Sequence, residues 1–146
     1  MSVKLIAVDM DGTFLNDKKT YNRERFHQQY QQMKAQNIHF VVASGNQYYQ
    51  LASFFPDIAN EIAFVAENGG WVQDAGEDVY NCAMPRAHVD KITAFLPTRP
   101  VVEVIVCGKK SAYTRHSYDQ SFPDIAARYY HRLELVDNFD NLDDTI

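Results

Sequence analysis

The chain has 146 residues, 46 % of them hydrophobic and 13 % aromatic, with a formal net charge of −5. Length alone suggests one domain, and this much apolar material builds a core and excludes a disordered chain. The acidic balance argues against nucleic acid or an anionic membrane as the main partner, while a small phosphate ester recruited by a local cation remains compatible with it.

The first element is a strand over residues 4–8, ending Leu5-Ile6-Ala7-Val8. A continuous run of this kind reads as a strand buried on both faces of a parallel sheet. It stops in Asp9-Met10-Asp11-Gly12-Thr13. Carboxylates at the end of such a strand lie where open α/β sheets bind ligands. The i, i+2 spacing puts Asp9 and Asp11 on one side, and Gly12 lets the chain turn so that backbone N–H groups approach an anion. A carboxylate here can attack phosphorus as a nucleophile if a hard divalent cation, Mg2+ above all, removes the charge repulsion. A second acid can protonate the leaving oxygen and later activate water. Asp9 suits the first role and Asp11 the second. The bland alternative is an acidic turn that binds nothing.

Residues 16–20 are polar and read as a loop. A helix follows over 22–36, with Phe26, Tyr30 and Met33 on one face, Asn22 as its N-cap and Asn37 in the left-handed position after it. Strand two, residues 38–43, ends in Ser44-Gly45-Asn46. A strand–helix–strand unit makes these strands parallel, so Ser44 arrives beside the two aspartates. Its hydroxyl and the N–H groups after it could hold a phosphate oxygen, or Ser44 could simply cap a helix over 47–55. A third strand, 61–66, ends in Glu67-Asn68-Gly69-Gly70, which reads equally as a binding loop or as a turn into a hairpin of 71–73 against 79–80. Beyond residue 81 the pattern predicts a helix over 85–96 with Val89, Ile92 and Leu96 on its inner face. Strands over 101–106 and 111–114 come next. Then comes a helix capped by Ser121, with Asp124 in the capping-box position and Ile125, Ala126, Tyr129 and Leu133 as its face. A last strand starts at Leu135, and the acidic residues 137–144 read as loose. Cys82 and Cys107 show neither metal spacing nor a disulfide framework and read as buried free thiols. The five histidines show no ligand spacing. The N-terminal apolar run is too short for a signal peptide, and no run reaches the length of a membrane span, so a reducing cytoplasm is the expected setting.

Asp9-Met10-Asp11-Gly12-Thr13-Phe14-Leu15, followed by Val41-Val42-Ala43-Ser44-Gly45-Asn46 and Ala66-Glu67-Asn68-Gly69, resembles the motif order of the haloacid dehalogenase-like (HAD) hydrolases. Within them it resembles the Cof-type branch with its bacterial sugar-phosphate phosphatases. The resemblance implies an α/β, Rossmann-like core with a parallel sheet. It also implies the following division: residues 1–84 form the N-terminal part of the core, and 85–146 the first part of an α+β cap that closes over the site and selects the sugar. It implies Asp9 as nucleophile, Asp11 as acid/base, both at Mg2+, and Gly12, Ser44, Gly45, Asn46 and Asn68 around the phosphate. The wider family carries Arg where this chain has Asn46, so one cation near the phosphate is missing. The family's lysine and its second acidic metal-binding stretch come after the cap in chain order. This chain therefore resembles the N-terminal part of a longer phosphatase, truncated inside its cap, and the first strand, central in the family's sheet, would become an open edge.

Overall fold

The computed structural model describes residues 3–96, 102–116 and 121–146. Two compact units emerge, Met1–Cys82 and Ala83–Ile146.

The first unit is a mixed α/β fold around a five-stranded sheet. Its elements are β1 (Leu5–Asp9), α1 (Arg23–Ala35), β2 (His39–Ala43), α2 (Tyr48–Ser53), β3 (Ala63–Ala66), β4 (Trp71–Asp74) and β5 (Glu77–Asn81). The sheet order follows the sequence, β1-β2-β3-β4-β5. β1, β2 and β3 run parallel, while β4 and β5 form the expected antiparallel hairpin. The parallel part arises because α1 and α2 carry the chain back along one face. Phe26 and Tyr30 of α1 and Leu51 of α2 pack with Phe40, Val42 and Phe64 of the sheet. The α1 ends are as the residues dictate: the Asn22 side chain accepts the Arg25 N–H, and Asn37 is left-handed at φ 53°.

β2 is buried through Phe40, Val41 and Val42, as a strand covered on both sides should be. β1 is not. Leu5 is 55 % and Ile6 36 % exposed, which corrects the reading of β1 as buried on both faces. The physical reason is position. β1 is the last strand on its side, paired only with β2 among the described residues.

The second unit contains α3 (Arg86–Phe95), β6 (Ile105–Cys107), β7 (Ala112–Arg115), α4 (Phe122–Ala126) and β8 (Leu133–Val136). β6 pairs antiparallel with β7, and β7 pairs parallel with β8. Several expectations are corrected here. The strand expected over 101–106 is Ile105–Cys107, and residue 101 lies outside the described residues. On α3, Val89 is buried but Ile92 is 49 % exposed, and Thr93 takes the inner place. Thr93 can do so because its hydroxyl donates to the Asp90 carbonyl at 3.2 Å. Ser121 makes no side-chain cap, because its own backbone is already helical. Of the expected α4 face, Ala126 is buried while Ile125 and Tyr129 are exposed and Leu133 belongs to β8.

Residues 137–144 are not loose. Phe139 is buried with Leu96 and Tyr113. The Asp144 carboxylate accepts the Lys110 N–H at 2.8 Å, the Ser111 N–H at 3.2 Å and the Tyr113 hydroxyl at 2.9 Å. Glycine at 108 suits the turn, since a Cβ there would meet the Asp144 carboxylate and stand 2.9 Å from the Ser111 carbonyl oxygen. The thiols also differ from expectation: Cys82 is exposed and Cys107 half-buried, because both lie on strand margins rather than under a helix. No described helix is long and apolar enough to cross a membrane.

Candidate active site

Three parallel strands deliver their C-terminal ends to one edge of the first unit. In register, Asp9 lies opposite Ala43, and Ala43 opposite Val65. The residues just beyond these positions form the site.

At the end of β1, Met10 is fully buried while Asp9 and Asp11 are exposed. The apolar residue between the acids thus anchors the loop from below and turns both carboxylates outward. The chain then closes a turn: the Phe14 N–H donates to the Asp9 carbonyl at 3.1 Å and the Leu15 N–H to the Met10 carbonyl at 2.9 Å. Gly12 permits this at φ 74°, with open space where a side chain would be. Phe14 pins the turn to the core, with ring centroids 4.9 Å from Tyr21, 5.2 Å from Phe26 and 5.7 Å from Phe55. Such ring pairs each contribute about 0.5–1.5 kcal/mol beyond area burial. The Thr13 hydroxyl donates to Asp9 Oδ2 at 3.0 Å, which orients the carboxylate.

Asn46 joins the second loop to the first. Its amide donates to Asp11 Oδ2 at 2.8 Å. Its own N–H donates to Ser44 Oγ at 3.2 Å. Ser44 is therefore the cap of its own three-residue turn. The alternative in which it caps the following helix is not the one adopted: α2 starts at Tyr48 after Gln47, which makes no side-chain cap. A hydroxyl that accepts in this way can still donate its proton to an anion.

The third loop clasps the second. The Ser44 N–H donates to the Val65 carbonyl at 3.0 Å, the Asn68 N–H to the Ser44 carbonyl at 3.3 Å and the Glu67 N–H to the Asn46 carbonyl at 3.2 Å. A Cβ on Gly45 would meet Asn68 Oδ1 at 2.7 Å, so glycine is what lets the two loops touch. Glu67 and Asn68 are both left-handed, at φ 51° and 55°. Each such residue costs roughly 1–2 kcal/mol, strain of the kind that collects at functional loops. Asp11, Ser44, Gly45, Asn46 and Asn68 thus form one connected network, with Asp9 and Gly12 in the adjoining turn.

One participant was not legible as a site residue. Lys19, read as part of a plain loop, brings its ammonium to Asp11 Oδ1 at 2.5 Å. The ammonium holds Asp11 below the usual carboxylate range; partial burial opposes it and the Asn46 amide assists it. Burial pushes the Glu67 carboxyl up. The only sequence signal for Lys19 was the pairing of Asn16 with Thr20, two residues able to close a loop around it.

For a metal, the acids offer hard oxygen donors and no sulfur or imidazole, which suits Mg2+. Among the described residues, no cluster of three or more His, Cys, Asp or Glu groups stands where it could hold an ion. Mg2+ also takes water and substrate phosphate as ligands, so two acids are compatible with a partial shell.

The sequence profile of the haloacid dehalogenase-like hydrolases matches residues 6–146. The chain is 68 % identical over 144 residues to the 5-amino-6-(5-phospho-D-ribitylamino)uracil phosphatase YbjI of Escherichia coli (strain K12), covering 99 % of this chain and 53 % of that protein. It is 25 % identical over 135 residues to YitU of Bacillus subtilis (strain 168), which bears the same phosphatase name, covering 92 % of this chain and 46 % of that one. Among solved structures, SMU.1108c from Streptococcus mutans UA159 superposes with a TM-score of 0.88 at 34 % identity, over 99 % of this chain and 55 % of the other. The chain spans about half the length of these relatives. With the profile running from the first strand to the last residue, the chain belongs to the haloacid dehalogenase-like hydrolases.

Proposed function

We propose that this chain carries the phosphoryl-accepting part of a Mg2+-dependent phosphatase that hydrolyses small phosphate monoesters through an aspartyl-phosphate at Asp9. The observation that carries the reading is the pair of outward carboxylates at the end of β1, with Asn46 of the neighbouring loop bonded to the second of them at 2.8 Å. An Asp9 oxygen attacks phosphorus, and the bond to the leaving oxygen breaks as that oxygen takes a proton from Asp11. Water then gives a proton to Asp11 and attacks the acyl phosphate, releasing phosphate and restoring Asp9. The Thr13 hydroxyl orients Asp9, and the Ser44 hydroxyl with the adjacent N–H groups receives a phosphoryl oxygen. When bound by the Asp9 carboxylate and the Asp11 carbonyl, Mg2+ would lower the repulsion between carboxylate and phosphate.

The substrate class is a sugar phosphate or similar ester. The E. coli relative's name specifies a phosphorylated ribityl chain, a polyol phosphate of that class. Its selection is assigned to the second unit, read as part of a cap, and the setting to the cytoplasm.

The test is p-nitrophenyl phosphate and polyol phosphate turnover with Mg2+. It is run on the 146-residue chain and on the chain joined to the remaining part of the E. coli relative. We expect little turnover from the first and full turnover from the second, with Asp9→Asn lowering it on the order of 10⁴-fold or more. Retention of the rate after Asp9→Asn would remove the nucleophile assignment.

A further inference from the structure

We propose that Lys19 is a substrate-positioning residue of this site, an ammonium presented to the phosphoryl group by the closed turn of residues 16–20. The inference rests on the phosphatase reading above and adds to it a cation that the chain's motifs do not contain.

The turn is built around Asn16. Its backbone N–H donates to the Thr20 carbonyl at 3.0 Å and its carbonyl accepts the Lys19 N–H at 2.8 Å. Its side-chain oxygen accepts the Lys18 N–H at 2.9 Å and the Thr20 N–H at 3.2 Å, and its amide donates to the Thr20 hydroxyl at 3.0 Å. Within this net Lys19 is held left-handed at φ 55°. An unbranched L-residue pays about 1–2 kcal/mol for that conformation. What the strain produces is an ammonium at Asp11 Oδ1.

Fold stability does not account for the arrangement. The side chains of Lys19 and Asp11 are 61 % and 39 % exposed. Exposed pairs of this kind contribute about 0–1 kcal/mol. Chemistry does account for it. The site gathers two carboxylates and must receive a third anion, and Asn46 supplies a neutral amide to it. Lys19–Asp11 is an ion pair at these acids. An ammonium has three N–H donors on a flexible stem. It can therefore stay within reach of Asp11 and donate to a phosphoryl oxygen of the bound ester, leaving the Asp11 oxygen near the leaving group.

The test compares Lys19→Met and Lys19→Arg in the chain joined to the remainder of the E. coli relative. Steady-state kinetics on one polyol phosphate and competitive inhibition by inorganic phosphate are both measured. Lys19→Met is expected to raise KM about 10- to 100-fold, the range for losing a charge-assisted hydrogen bond. The inhibition constant for phosphate should rise by the same factor, and Lys19→Arg should restore most of the loss. A fall in kcat with KM and phosphate inhibition unchanged would show that Lys19 acts only through Asp11, and the proposal would fail. Unchanged kinetics would also overturn it. Inactivity of the parent protein, by contrast, would sink the phosphatase reading. Calorimetric titration with inorganic phosphate, which requires no turnover, would still decide Lys19 by the presence or absence of weakened binding in Lys19→Met.

Discussion

Asp11 in the first unit and Asp144 in the second are both carboxylates surrounded by donors, and they are held in opposite ways. Asp11 is met by the Lys19 ammonium and the Asn46 amide, two side chains that can rotate away. Asp144 is met by the backbone N–H groups of Lys110, Ser111 and Thr145 and by the Tyr113 hydroxyl. Backbone donors cannot leave without unfolding the turn. Under the proposed mechanism Asp11 exchanges protons and needs partners that can yield, whereas Asp144 fastens two segments and needs partners that cannot. The kind of donor, more than the number, separates a reactive acid from a structural one.

The largest expected effect is chemical. Asp11→Asn in the chain joined to the remainder of the E. coli relative should lower kcat about 10²- to 10⁴-fold, the usual range for a general acid/base, while its urea midpoint changes little. A rate within a few-fold of the parent would erase the contrast with Asp144.

Asp144→Ala should do the reverse. It leaves the Lys110 and Ser111 N–H groups without their acceptor and should destabilise the turn by about 1–3 kcal/mol. The measurement is amide exchange at those two positions in the 146-residue chain. Unchanged protection there would mean the turn is held by other forces, such as the Phe139 cluster.

The smallest effect sharpens the comparison with a third carboxyl. Burial raises the Glu67 pKa, so the folded chain binds this proton more tightly than the unfolded chain does. Ionised Glu67 therefore weakens folding, and the loss grows as pH rises through the ordinary glutamate range and past the raised folded value. Glu67→Gln should be slightly more stable than the parent at pH 7 and lose that advantage at pH 4. An advantage of equal size at both pH values would remove the charge explanation. Asp11 has the opposite sign. Its lowered pKa gives a contribution present at neutral pH and lost as pH falls through the folded value.

Much of the first unit was legible because its signals are local. Apolar runs ended in polar residues, Phe26 and Tyr30 kept helical spacing, and Asn22 and Asn37 marked the ends of α1. The convergence of Asp11, Ser44 and Asn46 followed from parallel strands carrying them to one edge. Lys19 was hidden because its role depends on a left-handed backbone and on the bonds that close its turn, neither of which leaves a spacing pattern. Asp144 was read as loose because its partners are backbone groups 34 and 33 residues earlier, which no side-chain pattern reveals. The exposure of Ile92 escaped because helical periodicity gives a face without saying how far the neighbouring strands reach.

The ribbon that ends in Asp9 is stitched to the sheet along one flank only. Among the described residues no strand pairs its other flank, and Leu5 is exposed. Position of the Asp9 carboxylate and occupancy of that margin are consequently linked, since a strand steadied on both sides wavers less at its tip than one steadied on one.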